Sequence, residues 1–168
     1  LINARDYSLI KNPVHKNSRV KLLKSVKTEE ELNSYKDAFK KTDETMMAIR
    51  KYIEENENLS EYTIAARLKE EFVLKGAKSL SFKSIVAINK NSALAHYSNN
   101  SKKVKLKDGD LVLIDCGAYY EDGLATDITR VFVKGEPTEL QKSVYTTVLK
   151  SFLNAYNSDL KTGYDLDL

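Results

Sequence analysis

The chain has 168 residues, 42% of them hydrophobic and 30% charged, which is enough to bury a core and excludes a disordered polypeptide. Its 27 basic and 24 acidic residues leave a net charge of only +3, and with no all-basic face this does not point to a nucleic-acid partner. No apolar run approaches the roughly 18 residues of a membrane span, and a single cysteine, Cys116, excludes an internal disulfide framework and suits a reducing, cytoplasmic setting.

Leu1 to Lys27 alternates short apolar groups with lysines and contains Pro13, which disfavours helix. It reads as a linker, with Val20 to Val26 as an extended segment. Leu1 is not a methionine and nothing near it has the layout of a signal peptide, so both ends read as cuts in a longer protein. Thr28 followed by Glu31 is a capping box. After it Leu32, Tyr35, Phe39, Thr42, Met46, Ile49 and Ile53 recur at three- and four-residue steps, the pattern of a long amphipathic helix to about Glu57 whose stripe packs a core. Ser60 caps a second helix with Ile64, Leu68 and Phe72 on one face and Gly76 as its stop.

From Phe82 the period changes. Phe82 to Asn89 is rich in β-branched residues and predicts a strand; Leu94 to Tyr97 could begin another. Ser98 to Lys107 is a polar connection, and Asp108-Gly109-Asp110 is a turn. The continuous apolar run from Leu111 to Asp115 predicts a strand buried on both faces. Gly123 marks a turn and Leu124 to Val133 the returning strand. Pro137, Thr138 and Gln141 start a last helix with a second capping box and an apolar face of Leu140, Val144, Val148, Phe152 and Ala155. Antiparallel strands with flanking helices make an α+β fold.

An aspartate that closes a buried strand costs several kcal/mol unless something compensates it, so Asp115 asks for a cation. The second carboxylate to consider is Asp127. A hairpin symmetric about Glu121 sets Asp115 directly opposite Asp127, with both side chains on one face and their Cβ atoms about 4.5–5.5 Å apart. Carboxylates held that close repel unless they share a proton or a metal. The simple alternative is that Asp127 pairs with Arg130 or caps a turn while Asp115 merely ends a strand. On their own the two aspartates leave both readings open. As hard oxygen donors they suit Mn, Mg or Ca, and in mixed sites Zn or Co.

The segment Ile114-Asp115-Cys116-Gly117-Ala118-Tyr119-Tyr120, followed by Gly123-Leu124-Ala125-Thr126-Asp127-Ile128-Thr129-Arg130, resembles the signature of the pita-bread metallopeptidases. Ala95-His96-Tyr97 ahead of Asp108-Gly109-Asp110 narrows the resemblance to the aminopeptidase P and prolidase branch. Asn12-Pro13-Val14 and the run Leu22 to Thr28 resemble the junction into the catalytic domain of three-domain aminopeptidase P enzymes. The resemblance implies a linker over residues 1–27 and the first half of a pita-bread domain over 28–168. It also implies metal roles for Asp115, which binds one of two divalent ions, and Asp127, which bridges both. The ions are Mn by preference, with Zn or Co as alternatives. His96 hydrogen-bonds substrate near the scissile bond and helps proton transfer; His15 has no role.

The two aspartates are separated by eleven residues, one more than the family pattern, and the extra residue is expected to enlarge the Tyr120–Gly123 turn. The remaining ligands, a histidine and two glutamates, and a second substrate histidine are expected beyond Leu168, which leaves this stretch inactive alone. The implied activity of the full-length protein is hydrolysis of the bond between an N-terminal residue and a following proline, by a homodimer, on peptides with proline in second position. Competing readings are a prolidase confined to dipeptides, a non-catalytic pita-bread peptide-binding module, which the retained aspartates and His96 argue against, and creatine-type hydrolysis, which lacks paired aspartates.

Overall fold

The computed structural model describes residues 19–121 and 123–158; Pro13, His15, most of the expected linker and the stretch from Lys161 to Leu168 lie outside the described residues. The elements run α1 (Arg19–Ser25), α2 (Glu29–Glu55), α3 (Glu61–Leu74), β1 (Ser79–Leu80), β2 (Ile85–Ile88), a 3-10 turn (Asn89–Ala93), β3 (Leu111–Cys116), β4 (Ala118–Tyr119), β5 (Ile128–Val133) and α4 (Glu139–Tyr156).

The helix starts follow from local chemistry. Glu31 N donates to Thr28 Oγ1 at 3.2 Å and Thr28 N donates back to Glu31 Oε2 at 2.8 Å, closing the expected box at the head of α2. Ser60 and Thr63 do the same for α3, and Thr138 and Gln141 for α4. Gly76, with φ of 84°, follows the end of α3 in the left-handed region that terminates helices. Two expectations fail for physical reasons. Arg19–Ser25 is helical, not extended, because the helix propensity of its arginine, lysines and leucines outweighs that of the flanking valines. Leu94 to Tyr97 is no strand, because His96 takes φ of 52°, which a strand cannot accommodate.

β3 is the centre of a three-stranded antiparallel sheet in the order β2-β3-β5, while β1 and β4 form a separate pair. The residues of β3 alternate: Val112, Ile114 and Cys116 are fully buried, whereas Leu111, Leu113 and Asp115 are half-buried. The run is thus covered on one face, not on both as its composition suggested. The covered face packs with Ile49 and Ile53 of α2 and with Ile64, Leu68 and Phe72 of α3 in one continuous core, where each large side chain contributes about 1.5–3 kcal/mol. Lys134 ties the end of β5 to the end of α2. Its buried ammonium donates to the Ile53 and Asn56 carbonyls at 3.0 and 2.8 Å and faces Glu57, a cation at the negative end of a helix.

α4 differs from the other long helices. None of its side chains is buried, and Leu140, Val144, Val148 and Phe152, the face expected to pack, are each more than half exposed. A contiguous apolar stripe of this kind favours association. The 168-residue chain expressed alone is therefore expected to be oligomeric in light scattering at tens of micromolar, and Val148→Lys with Phe152→Lys to shift it towards monomer. A monodisperse unsubstituted monomer contradicts this.

Candidate metal centre

Asp115 stands near the end of β3 on the half-covered face of the sheet, between Ile85 of β2 and Thr129 of β5. The register corrects the hairpin expected from sequence: Asp115 pairs with Thr129 and not with Asp127. The shift is by two residues, so it preserves which side chains share a face. Asp127 lies one residue before β5, diagonal to Asp115 and on the same side. The returning strand starts at Ile128 instead of Leu124, and the pairing nevertheless continues in the same register, with Tyr119 opposite Ala125. The longer spacing is absorbed in the turn beyond, where Gly123 N donates to Tyr120 O at 3.1 Å.

A close backbone approach fixes Asp127. At Gly117 the chain leaves β3 and continues as β4 against β1. A Cβ on Gly117 would lie 1.8 Å from the Thr126 carbonyl oxygen, so only glycine lets the two stretches meet. Ser81 Oγ donates to that same carbonyl at 2.9 Å. The buried Thr126 hydroxyl lies 2.8 Å from Thr42 Oγ1 on α2 and accepts from Ala118 N at 3.1 Å, and Thr42 also meets the Tyr120 hydroxyl at 3.1 Å. Asp127 thus follows a residue held to a helix, a strand and a serine at once.

The electrostatics bring the expected site residues together. Burial pushes the Asp115 carboxyl above the usual carboxylate range, the Thr129 hydroxyl donating at 3.0 Å opposes this, Asp127 raises it further through charge and hydrogen-bonding contact, and His96 acts in the opposite direction. Asp127 and His96 thus both lie near enough to bear on the Asp115 carboxyl. The simpler pairing of Asp127 with Arg130 is not seen: the Arg130 guanidinium sits 3.6 Å from Asp43 of α2 and donates to the Thr129 carbonyl. Cys116 points to the core, and burial pushes its thiol up to about 12, so the free thiol is not ionised at neutral pH.

The donor set fits a cation. Three other charged side chains are buried among the described residues, and all are satisfied: Lys134 by the helix end of α2, Glu71 by Arg67, and Glu61 by four hydrogen-bond donors. Asp115 accepts a side-chain hydrogen bond from Thr129 and otherwise faces a like charge, which is the arrangement a divalent ion relieves. Among the described residues no group of three or more His, Cys, Asp or Glu side chains has metal-binding geometry, so the pair needs further donors to complete a coordination shell. The larger grooves lie elsewhere. One of about 850 Å³ runs between α2, β5 and α4, and another of about 1010 Å³ passes Tyr62, Lys69 and Tyr97; neither is lined by the carboxylate pair, which lies on an open sheet face.

Residues 33–167 match the sequence pattern of metallopeptidase family M24. This chain belongs to that family. The family's members use divalent metal ions. An Xaa-Pro dipeptidase of Pyrococcus furiosus is 35% identical over 132 residues, covering 79% of this chain and 36% of that protein. An Xaa-Pro aminopeptidase of Escherichia coli is 41% identical over 92 residues, covering 54% of this chain and 20% of the other. The crystal structure of an X-Pro aminopeptidase from Thermotoga maritima superposes with a TM-score of 0.73 at 34% identity, over 81% of this chain and 37% of that one. The helices and antiparallel strands are those of the pita-bread M24 fold, and the chain spans little more than a third of the length of the dipeptidase and the Thermotoga enzyme.

Sequence reasoning gave Thr129 and Thr126 no part in holding the two aspartates, and left Glu61 unremarked. A threonine in a strand and an acid in a first helical turn are both ordinary. Gly117 was visible inside the signature, but its role depends on which carbonyl it meets. Gly117→Ala is expected to displace Thr126 and with it Asp127. Overpacking of this kind costs about 1–3 kcal/mol, so the melting temperature should fall, and metal affinity should fall more than it does in a core control away from the pair such as Ile53→Val. Unchanged metal affinity in Gly117→Ala would show that the approach to Thr126 does not position the ligand.

Proposed function

We propose that the intact protein is a metal-dependent peptidase that hydrolyses the bond between an N-terminal residue and a following proline. The observation that supports this reading is that Asp115 and Asp127 share one sheet face, with His96 near enough to bear on Asp115, within the stretch that matches the M24 pattern. Asp115 and Asp127 would hold two divalent ions, Mn by preference and Zn or Co otherwise, with Asp127 shared between them. When bound, these ions acidify the attacking water and stabilise charge on the scissile carbonyl.

The chain's own residues do the rest. Thr129 holds Asp115 Oδ1 and leaves the other carboxylate oxygen for an ion. The His96 imidazole, exposed beside the pair, hydrogen-bonds the substrate near the scissile bond and assists proton transfer. The proposal extends to a peptide substrate with proline second, a homodimeric cytoplasmic enzyme, and a chain layout in which residues 28–168 form the first half of the pita-bread domain behind a linker over 1–27. A second reading, an Xaa-Pro dipeptidase, is favoured by the longer alignment with the Pyrococcus enzyme, 132 residues against 92 for the Escherichia aminopeptidase. Comparing turnover of an Xaa-Pro dipeptide with that of an Xaa-Pro-Xaa tripeptide separates the two.

Two substitutions in the intact protein test the roles. Asp127→Ala removes the shared ligand, so metal content should fall by at least one ion per chain and turnover by several orders of magnitude. His96→Ala should keep the full metal content and lose roughly 10²–10⁴-fold in rate. Metal analysis of the purified variants beside peptide turnover makes the distinction. Full metal content and near-normal turnover in Asp127→Ala would overturn the assignment.

A further inference from the structure

Glu61 is the first residue of α3, and its side chain is completely buried. A carboxylate in that position costs several kcal/mol unless it is paired and hydrogen-bonded. Its partners are unusually concentrated. Oε1 accepts from Ile88 N and from Asn91 Nδ2, both at 2.8 Å, and Oε2 accepts from the Tyr97 hydroxyl at 2.7 Å and from Ser101 N at 2.8 Å. Asn91 and Tyr97 also touch each other at 3.1 Å. All four donors belong to the segment from the end of β2 to Ser101, and that segment carries His96.

His96 itself needs holding. Its φ of 52° places it in the left-handed region, which non-glycine residues occupy at a cost and keep only where their surroundings determine it. The side chain is exposed, so packing does not fix it. What does fix it is the residue that follows. The Tyr97 ring anchors in the Glu61 carboxylate, and Tyr97 N donates to the Leu94 carbonyl at 3.3 Å, closing a tight turn around His96. On the far side, Tyr62 N donates to the Ser101 carbonyl at 3.2 Å, so the start of α3 grips both ends of the segment.

We propose that Glu61 is a positioning residue for the peptidase reaction: its buried carboxylate clamps residues 88–101 so that His96 is held in its left-handed conformation beside the Asp115–Asp127 pair. The inference rests on the peptidase reading of His96. All four of its bonds go to the one segment that carries His96. Gln in its place keeps shape and volume but has one acceptor oxygen where there were two, so two of the four donors lose their acceptor.

The test uses the intact metal-loaded protein with an Xaa-Pro peptide. Glu61→Gln is expected to keep metal content and KM while lowering kcat by up to roughly 10²-fold, the scale of a misplaced catalytic group. Tyr97→Phe, which removes one of the four donors, should lose less. In a His96→Ala background, Glu61→Gln should cost nothing further, because the group it positions has gone. A loss that multiplies with His96→Ala, or a loss of metal, would overturn the proposal and assign Glu61 to the fold alone. If His96→Ala leaves turnover unchanged, it is the peptidase role of His96 that fails. A measurement independent of turnover stands beside these: amide hydrogen exchange should quicken at least about tenfold across residues 89–101 in Glu61→Gln and stay unchanged in β3 and β5. Equal exchange in that segment would overturn the clamp whatever the kinetics show.

Discussion

Everything at the site depends on two carboxylates being held on one face of one sheet against their mutual repulsion. A fold does not do this by default, since like charges brought together on one face of a sheet destabilise it. Here the diagonal placement is built into the backbone. Gly117 brings β4 against the Thr126 carbonyl, and Thr126, the residue before Asp127, is tied to Thr42 of α2. Asp115 is fixed from the other side by its place in β3, where Val112, Ile114 and Cys116 commit the strand's register to the core. A one-residue slip would turn all three apolar side chains outward and Asp115 into the core.

The comparison among the buried charges shows what the arrangement is for. Lys134 and Glu61 are surrounded by partners of the right kind, and each stabilises a junction: strand to helix end in one case, helix start to loop in the other. Asp115 is half-buried, has a threonine hydroxyl as its side-chain donor, and faces Asp127. The imbalance lies on the open face of the sheet, at the pair proposed above to hold the metal, and a divalent ion there would relieve it. The grooves are larger but carry no comparable imbalance.

Much of this was legible in the sequence, for reasons that can be named. The three capping boxes at Thr28, Ser60 and Thr138 depend only on neighbours three residues away, and the α2 and α3 stripes on a simple period, so those helices were predictable. Asp115, Asp127 and His96 were legible because their spacing resembles a known family. The register was not, because symmetry about Glu121 assumes pairing that begins at the turn, whereas the observed pairing is set by Gly117 and Thr126 meeting across the strands. The half-covered face of β3 escaped composition, since Leu111 and Leu113 are as apolar as Val112 and Ile114. Glu61 escaped for a deeper reason: an acid at a helix start is the commonest of sequence features, and only the donors converging on it from residues 88–101 reveal its work.

The most direct measurement is diffraction from crystals of the intact protein grown with Mn²⁺, recorded with anomalous scattering at the manganese edge. The account predicts an anomalous peak within coordination distance of carboxylate oxygens of both Asp115 and Asp127, on the face of the sheet away from Ile114 and Cys116. A peak bound only elsewhere, or the two carboxylates turned to opposite faces of the sheet, would contradict it.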